Sequence, residues 1–110
     1  GDIIWINFST LNARAKPDMH PLVVLSPKNF NSRTSVLVGL PLSTAEHNST
    51  NPFAIAFKGP RGATSYILAH QPKSFDWRQR GAKIHPLKKA PNDVLSDACE
   101  LLNQIMRLTE

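Results

Sequence analysis

The sequence contains one cysteine, no long hydrophobic run and few acidic residues. Cys99 alone cannot form an intramolecular disulfide or a cysteine-based metal cluster, so the chain suits a reducing compartment. Its apolar runs are too short to span a bilayer, and the opening G-D-I-I-W-I lacks the basic flank and long apolar centre of a signal peptide. We therefore expect a soluble, cytoplasmic protein that has no membrane partner.

Acidic side chains are outnumbered, because 13 lysines and arginines face 8 aspartates and glutamates, which gives a formal charge of +5. A net positive charge favours an anionic partner such as nucleic acid or an acidic protein. A chain of 110 residues is typical of one domain with one hydrophobic core, so residues 1–110 are predicted to form a single domain.

Short apolar segments separated by turn residues predict an antiparallel β barrel or sandwich. Strands are predicted at residues 2–8, 22–25, 35–42, 53–57 and 65–70. Residues 9–17 are predicted to be a polar, basic loop, K-N-F-N-S-R-T (28–34) a turn-rich connection, and A-E-H-N-S-T-N-P (45–52) a loop.

The C-terminal segment changes to helical periodicity from Pro91 onward. Pro91 suits the first turn of a helix, and Asp93 is acidic near the positive end of the helix dipole. We predict one amphipathic helix whose apolar stripe, with Cys99 at its edge, packs on the core or on a second subunit. The stripe comprises Leu95, Ala98, Leu102, Ile105 and Met106.

Several stretches form a linear pattern when they are taken in order: G-D-I-I-W-I-N-F, H-P-L-V-V-L-S-P, F-N-S-R-T, L-P-L-S-T, N-P-F, H-Q-P-K-S-F-D-W-R-Q-R-G-A-K and A-P-N-D. This pattern resembles the MazF/PemK family of toxin endoribonucleases, the mRNA interferases of type II toxin–antitoxin pairs. The resemblance implies a mainly β fold with a C-terminal helix, an SH3-like antiparallel barrel of the CcdB/PemK type. It also implies a homodimer, metal-independent and cofactor-independent cleavage of single-stranded RNA, and a cognate acidic antitoxin similar to MazE or PemI.

The sequence departs from the family pattern at positions that carry chemistry. The family usually has Arg-Pro where this chain has His20 and Pro21, and an aspartate where this chain has His70. The loop that usually reads G-x-E-Q-x-G is A-R-A-K-P-D (13–18) here. A hydroxyl is retained after the third strand, at Ser43, and Thr44 follows it.

Cleavage of RNA by its own 2′-hydroxyl requires a base for that hydroxyl, an acid for the leaving 5′-oxygen and donors to the charged phosphorane. Imidazole exchanges protons near neutral pH and can serve as either acid or base. We therefore predict that His20 and His70 form the acid–base pair. The hydroxyl of Ser43 or Thr44 is predicted to donate a hydrogen bond to the phosphate, and positive charge is predicted to come from Arg14, Lys16 or Arg80.

RNA binding is assigned to side chains that stack on bases or contact phosphates. Trp77 is predicted to lie in the core, since large aromatic side chains are usually buried. His47 and His85 are predicted to be solvated, and no metal is expected because no two histidines have a ligand spacing such as i, i+4. The predicted RNA-binding residues are Phe8, Arg14, Lys16, Thr44, Gln71, Lys73 and Arg80.

Two other functions remain open for a chain of this kind. One is a non-enzymatic toxin of the same fold that poisons a topoisomerase as CcdB does, through an aromatic, glycine-bearing C-terminal tail that the ending M-R-L-T-E lacks. The other is a catalytically impaired homologue that binds RNA or antitoxin without cleavage. Incubation of the purified protein with a long single-stranded RNA and a chelator separates these functions from an endoribonuclease.

Overall fold

The computed structural model describes residues 1–9 and 14–107, so residues 10–13 of the predicted basic loop and residues 108–110 lie outside the described part. The described residues form seven strands, two α-helices and a 3₁₀ helix (Glu46–Thr50). The helices are α1 (Lys28–Thr34) and α2 (Asn92–Met106). The strands are β1 (Asp2–Asn7), β2 (Met19–Val24), β3 (Val36–Ser43), β4 (Ala54–Lys58), β5 (Thr64–Leu68), β6 (Lys73–Asp76) and β7 (Lys83–Lys89).

The described strands pair antiparallel in the order β4-β5-β3-β2-β1-β7, and β6 pairs with the first half of β3. Residues 36–39 of β3 contact β6, residues 39–41 contact β2, and residues 42–43 contact β5. β3 thus takes part in both halves of the sheet. This architecture confirms the predicted class, a mainly β barrel-like fold with a C-terminal helix.

Alternation of side chains along β1 and β2 gives the sheet two apolar faces, since neighbouring residues of a strand point to opposite sides. Ile3 and Val23 belong to a buried cluster on one face, which α2 covers with Ala98 and Leu102. A second cluster lies on the other face, and Phe8, Phe75, Trp77 and Ala82 pack against it. Its buried members are Ile4, Ile6, Leu22, Val24 and Leu37.

Gly39 allows β3 to approach β2 closely. It lies opposite Val24 on β2 and opposite Lys73 on β6. A Cβ atom at this position would collide with the carbonyl oxygen of Val23 and would lie 2.8 Å from Cδ2 of Leu22. The position therefore requires glycine for steric reasons, because the collision partner is backbone and cannot rotate away.

The prediction of a turn-rich connection at residues 28–34 is wrong, because these residues form α1. No residue of α1 is buried, so the sequence shows no helical periodicity there. The helix is held by its surroundings. The Ser26 hydroxyl lies 2.6 Å from Asn31 Oδ1, Trp77 Nε1 donates to the Asn31 carbonyl at 2.8 Å, and Ser35 ends the helix in the left-handed region with φ 60°.

The 3₁₀ helix inside the predicted loop 45–52 and the strands β6 and β7 were not predicted. β6 has four residues and β7 contains Pro86 and three lysines, so neither has a clear alternation of apolar residues. β7 pairs with β1 through an irregular register between Asp2 and Ile4, and Lys88 has a positive φ of 64°. Lysine, proline and bulges are features of edge strands that discourage pairing with another chain.

The predicted C-terminal helix is confirmed as α2, which begins one residue after Pro91. Ala98 and Leu102 are buried and Leu95 packs against the core, whereas the last turn of the stripe is more exposed. Cys99 is exposed at the edge of the stripe. No helix within the described residues is long and apolar enough to cross a membrane.

Candidate functional site

His20 lies near the start of β2 and contacts an acidic residue that the sequence analysis did not assign. Its Nε2 atom is 2.9 Å from Oδ1 of Asp18, and its ring centroid is 4.9 Å from that of Phe8. A carboxylate accepts a hydrogen bond and cannot donate one, so the neutral ring carries its proton on Nε2. The lone pair is then on Nδ1, where a general base needs it.

The position of Asp18 depends on a hydrogen-bonded clamp at the base of the loop between β1 and β2. Asn7 Oδ1 accepts from the Ser9 amide at 3.0 Å, the Ser9 hydroxyl at 2.9 Å and the Asp18 amide at 2.9 Å. Arg80 Nη1 donates to the carbonyls of Asn7 at 2.9 Å and Ser9 at 2.7 Å. The clamp of Asn7 and Arg80 thus fixes both ends of the loop. Arg80, which was predicted to bind RNA, therefore also holds the backbone of this loop.

Aromatic and cationic side chains form a row beside His20. The ring centroids of Phe8 and Phe75 are 5.1 Å apart, and Lys73 Nζ lies 5.9 Å from the Phe8 centroid. The Arg80 guanidinium lies 4.7 Å from the Phe75 centroid. The structure therefore brings three of the predicted RNA-binding residues, Phe8, Lys73 and Arg80, into one neighbourhood. Alternation of positive charge and aromatic rings is typical of surfaces that bind single-stranded nucleic acid.

Ser43 ends β3 and keeps its hydroxyl proton available for a ligand. Its Oγ accepts from the Ala45 amide at 3.1 Å and from Asn48 Nδ2 at 3.2 Å. Asn48 is buried and also donates to the Ala45 carbonyl at 3.2 Å. Because both lone pairs of the hydroxyl accept from these donors, its proton is directed to another acceptor. This arrangement fits the predicted role of Ser43 as a donor to phosphate.

His20, Ser43 and Thr44 line one cavity of about 960 Å³ at the end of the sheet. Trp5 and His85 line the same cavity, and their ring centroids are 4.5 Å apart. His85 is half-buried, so the prediction that it is solvated is wrong. The cavity also contacts Arg61 in the turn between β4 and β5. The size is within the range of small-molecule and nucleotide sites.

Other predicted site residues lie elsewhere. His70 and Gln71 follow β5 and are exposed. The ring centroids of His70 and Phe53 are 5.7 Å apart, and Nε2 of His70 lies 3.2 Å from Nε2 of Gln71. His70 does not line the cavity that His20 lines. Arg14 and Lys16 are exposed in the described part of the loop.

The partly buried position of His85 affects the protonation of its ring. Burial lowers the pKa of the imidazole below its usual 6.5. Its Nδ1 atom accepts from the Leu87 amide at 3.0 Å, so the neutral ring carries its proton on Nε2. Residues 1–9 and 14–107 contain no group of three His, Cys, Asp or Glu side chains arranged to hold a metal ion.

Asp18 was not predicted as a site residue, although the sequence contains a signal for it. Residues i and i+2 of an extended chain lie on the same side, so Asp18 and His20 were placed to meet. Trp5 and His85 had no such signal, because they meet only through the pairing of β1 with β7.

A basic, antiparallel barrel with a histidine–carboxylate pair beside aromatic and cationic side chains has the features of a nucleic-acid-binding protein. Residues 1–106 match the family described as PemK-like, MazF-like toxin of type II toxin-antitoxin system. The chain therefore belongs to this toxin family, as the sequence pattern suggested.

The chain is also similar to individual members of this family. The endoribonuclease toxin MazF of Escherichia coli (strain K12) is 34% identical over 82 residues, which cover 74% of this chain and 71% of that protein. The crystal structure of MazF (Form-I) from Deinococcus radiodurans matches with a TM-score of 0.81 and 28% identity over 98% of this chain and 94% of the other. The MazE-MazF structure (Form-III) from the same organism matches with a TM-score of 0.81 and 29% identity, covering 99% of this chain and 95% of that chain.

Proposed function

We propose that this toxin is an endoribonuclease that cleaves single-stranded RNA, mRNA included, by attack of the RNA's own 2′-hydroxyl. The observation that carries the proposal is the Asp18–His20 pair, which shares the end of the sheet with the Ser43 hydroxyl in a chain of charge +5. The E. coli relative is named an endoribonuclease toxin, which supports the same reaction. Because the nucleophile belongs to the substrate, the reaction needs no metal-activated water and no cofactor.

His20 is the proposed base. Its Nδ1 lone pair removes the proton of the 2′-hydroxyl while Asp18 holds Nε2–H, as the carboxylate does in histidine–aspartate pairs of other enzymes. The 2′-oxygen then forms a bond to phosphorus and the bond from phosphorus to the 5′-oxygen breaks. The products are a 2′,3′-cyclic phosphate and a 5′-hydroxyl. A positioned base of this kind contributes about 10²–10⁴-fold to the rate.

Ser43 is the proposed donor to the charged phosphorane, and Thr44 is a proposed contact of the RNA backbone. Lys73, whose Nζ lies 5.9 Å from the centroid of the Phe8 ring that also contacts His20, is proposed to supply positive charge toward the RNA phosphates. Arg14 and Lys16, in the loop that the Asn7–Arg80 clamp holds, are proposed to contact flanking phosphates.

The leaving 5′-oxygen needs a proton, and with His20 as the proposed base, His70 of the predicted acid–base pair takes the role of the acid. Because His70 does not line the cavity that His20 lines, we assign their meeting to a homodimer in which each site combines His20 of one protomer with His70 of the other. This arrangement is testable by mixing two single variants. Randomly mixed His20→Ala and His70→Ala chains would form about half heterodimers, each with one intact site, and regain about a quarter of the wild-type rate. If each site were contained within one chain, the mixture of the two variants would regain no cleavage activity.

An acidic antitoxin is the proposed protein partner, and the cytoplasm is the proposed location, where mRNA is found. The Deinococcus relative was crystallised as a MazE-MazF complex. An acidic partner would be attracted by the same positive surface that attracts RNA phosphates, so bound antitoxin would exclude the substrate.

The experiment that tests the function is cleavage of a long single-stranded RNA by purified protein in excess chelator. We expect cleavage with cyclic-phosphate ends, and a loss of about a hundred-fold or more in the His20→Ala variant. His47→Ala is the matched control, because His47 is an exposed histidine in the 3₁₀ helix. Absence of cleavage by the wild type, or an equal loss in the control, would exclude the proposed mechanism.

A further inference from the structure

The cavity extends beyond the proposed catalytic residues to an aromatic pair that the reaction does not use. Trp5 lies opposite Pro21, the neighbour of His20, in the pairing of β1 with β2. Trp5 and His20 start from opposite faces of the sheet, yet both side chains border the same cavity. RNA bound at His20 therefore has access to Trp5 through this shared cavity.

The chemistry of this aromatic pair fits a nucleobase. The rings of Trp5 and His85 are inclined by 42°, and Leu87 also lines the cavity. Single-stranded RNA is recognised by stacking of splayed bases on aromatic rings and by hydrogen bonds to base edges. Both kinds of contact are available here.

His85 is arranged as a donor. Its Nδ1 atom is occupied by the Leu87 amide, so the remaining ring proton on Nε2 is the group it can offer to a ligand. Nucleobases present ring nitrogens and carbonyl oxygens as acceptors. A neutral imidazole with a fixed tautomer distinguishes an acceptor from a donor at one base position, which a solvated and rotating side chain would not do.

Charge at the rim favours a nucleotide over an apolar ligand. Arg61 contacts the cavity from the turn that joins β4 to β5, in which the Gly59 amide donates to the Ala63 carbonyl at 2.9 Å. A guanidinium at this position suits the phosphate of the nucleotide whose base enters the cavity.

We propose that Trp5, His85 and Arg61 form a base-binding subsite that reads an acceptor on the nucleotide adjoining the scissile phosphate, so that His85 determines part of the cleavage specificity. The proposal deepens the proposed function and depends on it. It predicts that the enzyme prefers particular bases at one position next to the cut, and that this preference is lost when the Nε2 donor is removed.

The test maps cleavage positions of wild type, His85→Ala and His85→Gln on one long RNA. We expect His85→Ala to lower the preference at one neighbouring position about ten-fold, the effect of one lost hydrogen bond to a base, whereas glutamine, which keeps a donor, retains part of it. The position is then examined with oligonucleotides in which a deaza-purine replaces the base that carries the acceptor. The cleavage rate of wild type should fall about ten-fold when this substrate replaces the unmodified oligonucleotide. The cleavage rate of His85→Ala should hardly change between the two substrates.

The outcomes separate the two proposals. If wild type cleaves no RNA, the proposed function fails. If wild type cleaves and His85→Ala keeps the full preference while circular dichroism shows a folded protein, the subsite is refuted and the function stands. A variant that loses affinity for the antitoxin but keeps its base preference also refutes the subsite, because the cavity would then bind a peptide.

Arg61→Ala should raise KM several-fold with little change in kcat, and His47→Ala should match wild type throughout.

Discussion

Replacement of Asp18 by asparagine separates the stability of the fold from the function of the Asp18–His20 pair. The two side chains are 62% and 46% exposed, and their contact distance is 2.9 Å. Exposed ion pairs contribute about 0–1 kcal/mol because water screens the charges. The backbone amide of Asp18 donates a hydrogen bond to Asn7 Oδ1, and this bond is unchanged in the variant. We therefore expect Asp18→Asn to change the free energy of unfolding by less than about 1 kcal/mol.

The effect on cleavage should be larger than the effect on stability. An aspartate selects one tautomer of His20, because it accepts from Nε2–H and has no proton to donate. An asparagine offers both a carbonyl and an amino group, so it accommodates the tautomer whose Nδ1 carries the proton and cannot act as a base. The corresponding change in a buried triad costs about 10⁴-fold. Since this pair is exposed to water, we expect a smaller loss in kcat of about 10–100-fold.

The assay is single-turnover cleavage of a fluorogenic RNA, with urea denaturation of the same preparations. Asp2→Asn is the matched control, because Asp2 forms an exposed ion pair with Lys89 at 3.9 Å at the opposite end of β1. Wild-type cleavage by folded Asp18→Asn would refute the argument that the carboxylate sets the tautomer. An equal loss in Asp2→Asn would attribute the effect to net charge.

Three further changes have defined outcomes. Gly39→Ala should lower the free energy of unfolding by about 1–3 kcal/mol, since the new methyl meets the Val23 carbonyl; an unchanged urea midpoint would show that β2 and β3 can separate at no cost. Arg14→Glu with Lys16→Glu should weaken RNA and antitoxin together and reduce the salt slope of RNA binding by about 1.4, which fluorescence anisotropy measures; an unaltered slope would remove the loop from the interface. Burial lowers the pKa of His85, so its contribution to stability is present above pH 6.5 and is lost as the pH falls through the lowered pKa. Urea titrations above and below pH 6.5 should show a smaller loss of stability in His85→Gln than in wild type, and an identical loss would contradict this.

The predictable parts of the fold are those in which one segment carries its own pattern. β1 and β2 are rich in apolar β-formers and α2 has a helical stripe, so each is recognisable in isolation. α1 has no buried residue and depends on Trp77, 46 residues away from Asn31. β7 is concealed by its lysines and proline, the same features that protect an edge strand. Such elements are specified by tertiary contacts that single-sequence patterns do not contain.

The candidate site divides in the same way. His20 and Ser43 were predicted from their positions in the family pattern, and the structure puts both at one cavity. His85 was predicted to be solvated because the sequence around it is polar, yet the register of β7 on β1 places its ring on Trp5. His70 was paired with His20 on chemical grounds, and no sequence pattern defines the distance between two turns of a barrel.

The Asn7–Arg80 clamp has a consequence for the time at which the site is assembled during synthesis. Arg80 donates to the carbonyls of Asn7 and Ser9, which precede it in the chain by 73 and 71 positions. These contacts fix the loop that carries Asp18. A ribosome releases the N-terminal strands first, at about 5–20 residues per second. The loop therefore lacks the Arg80 part of its clamp until that residue has emerged. Asp18 is thus held in place beside His20 only after the chain has folded as far as Arg80.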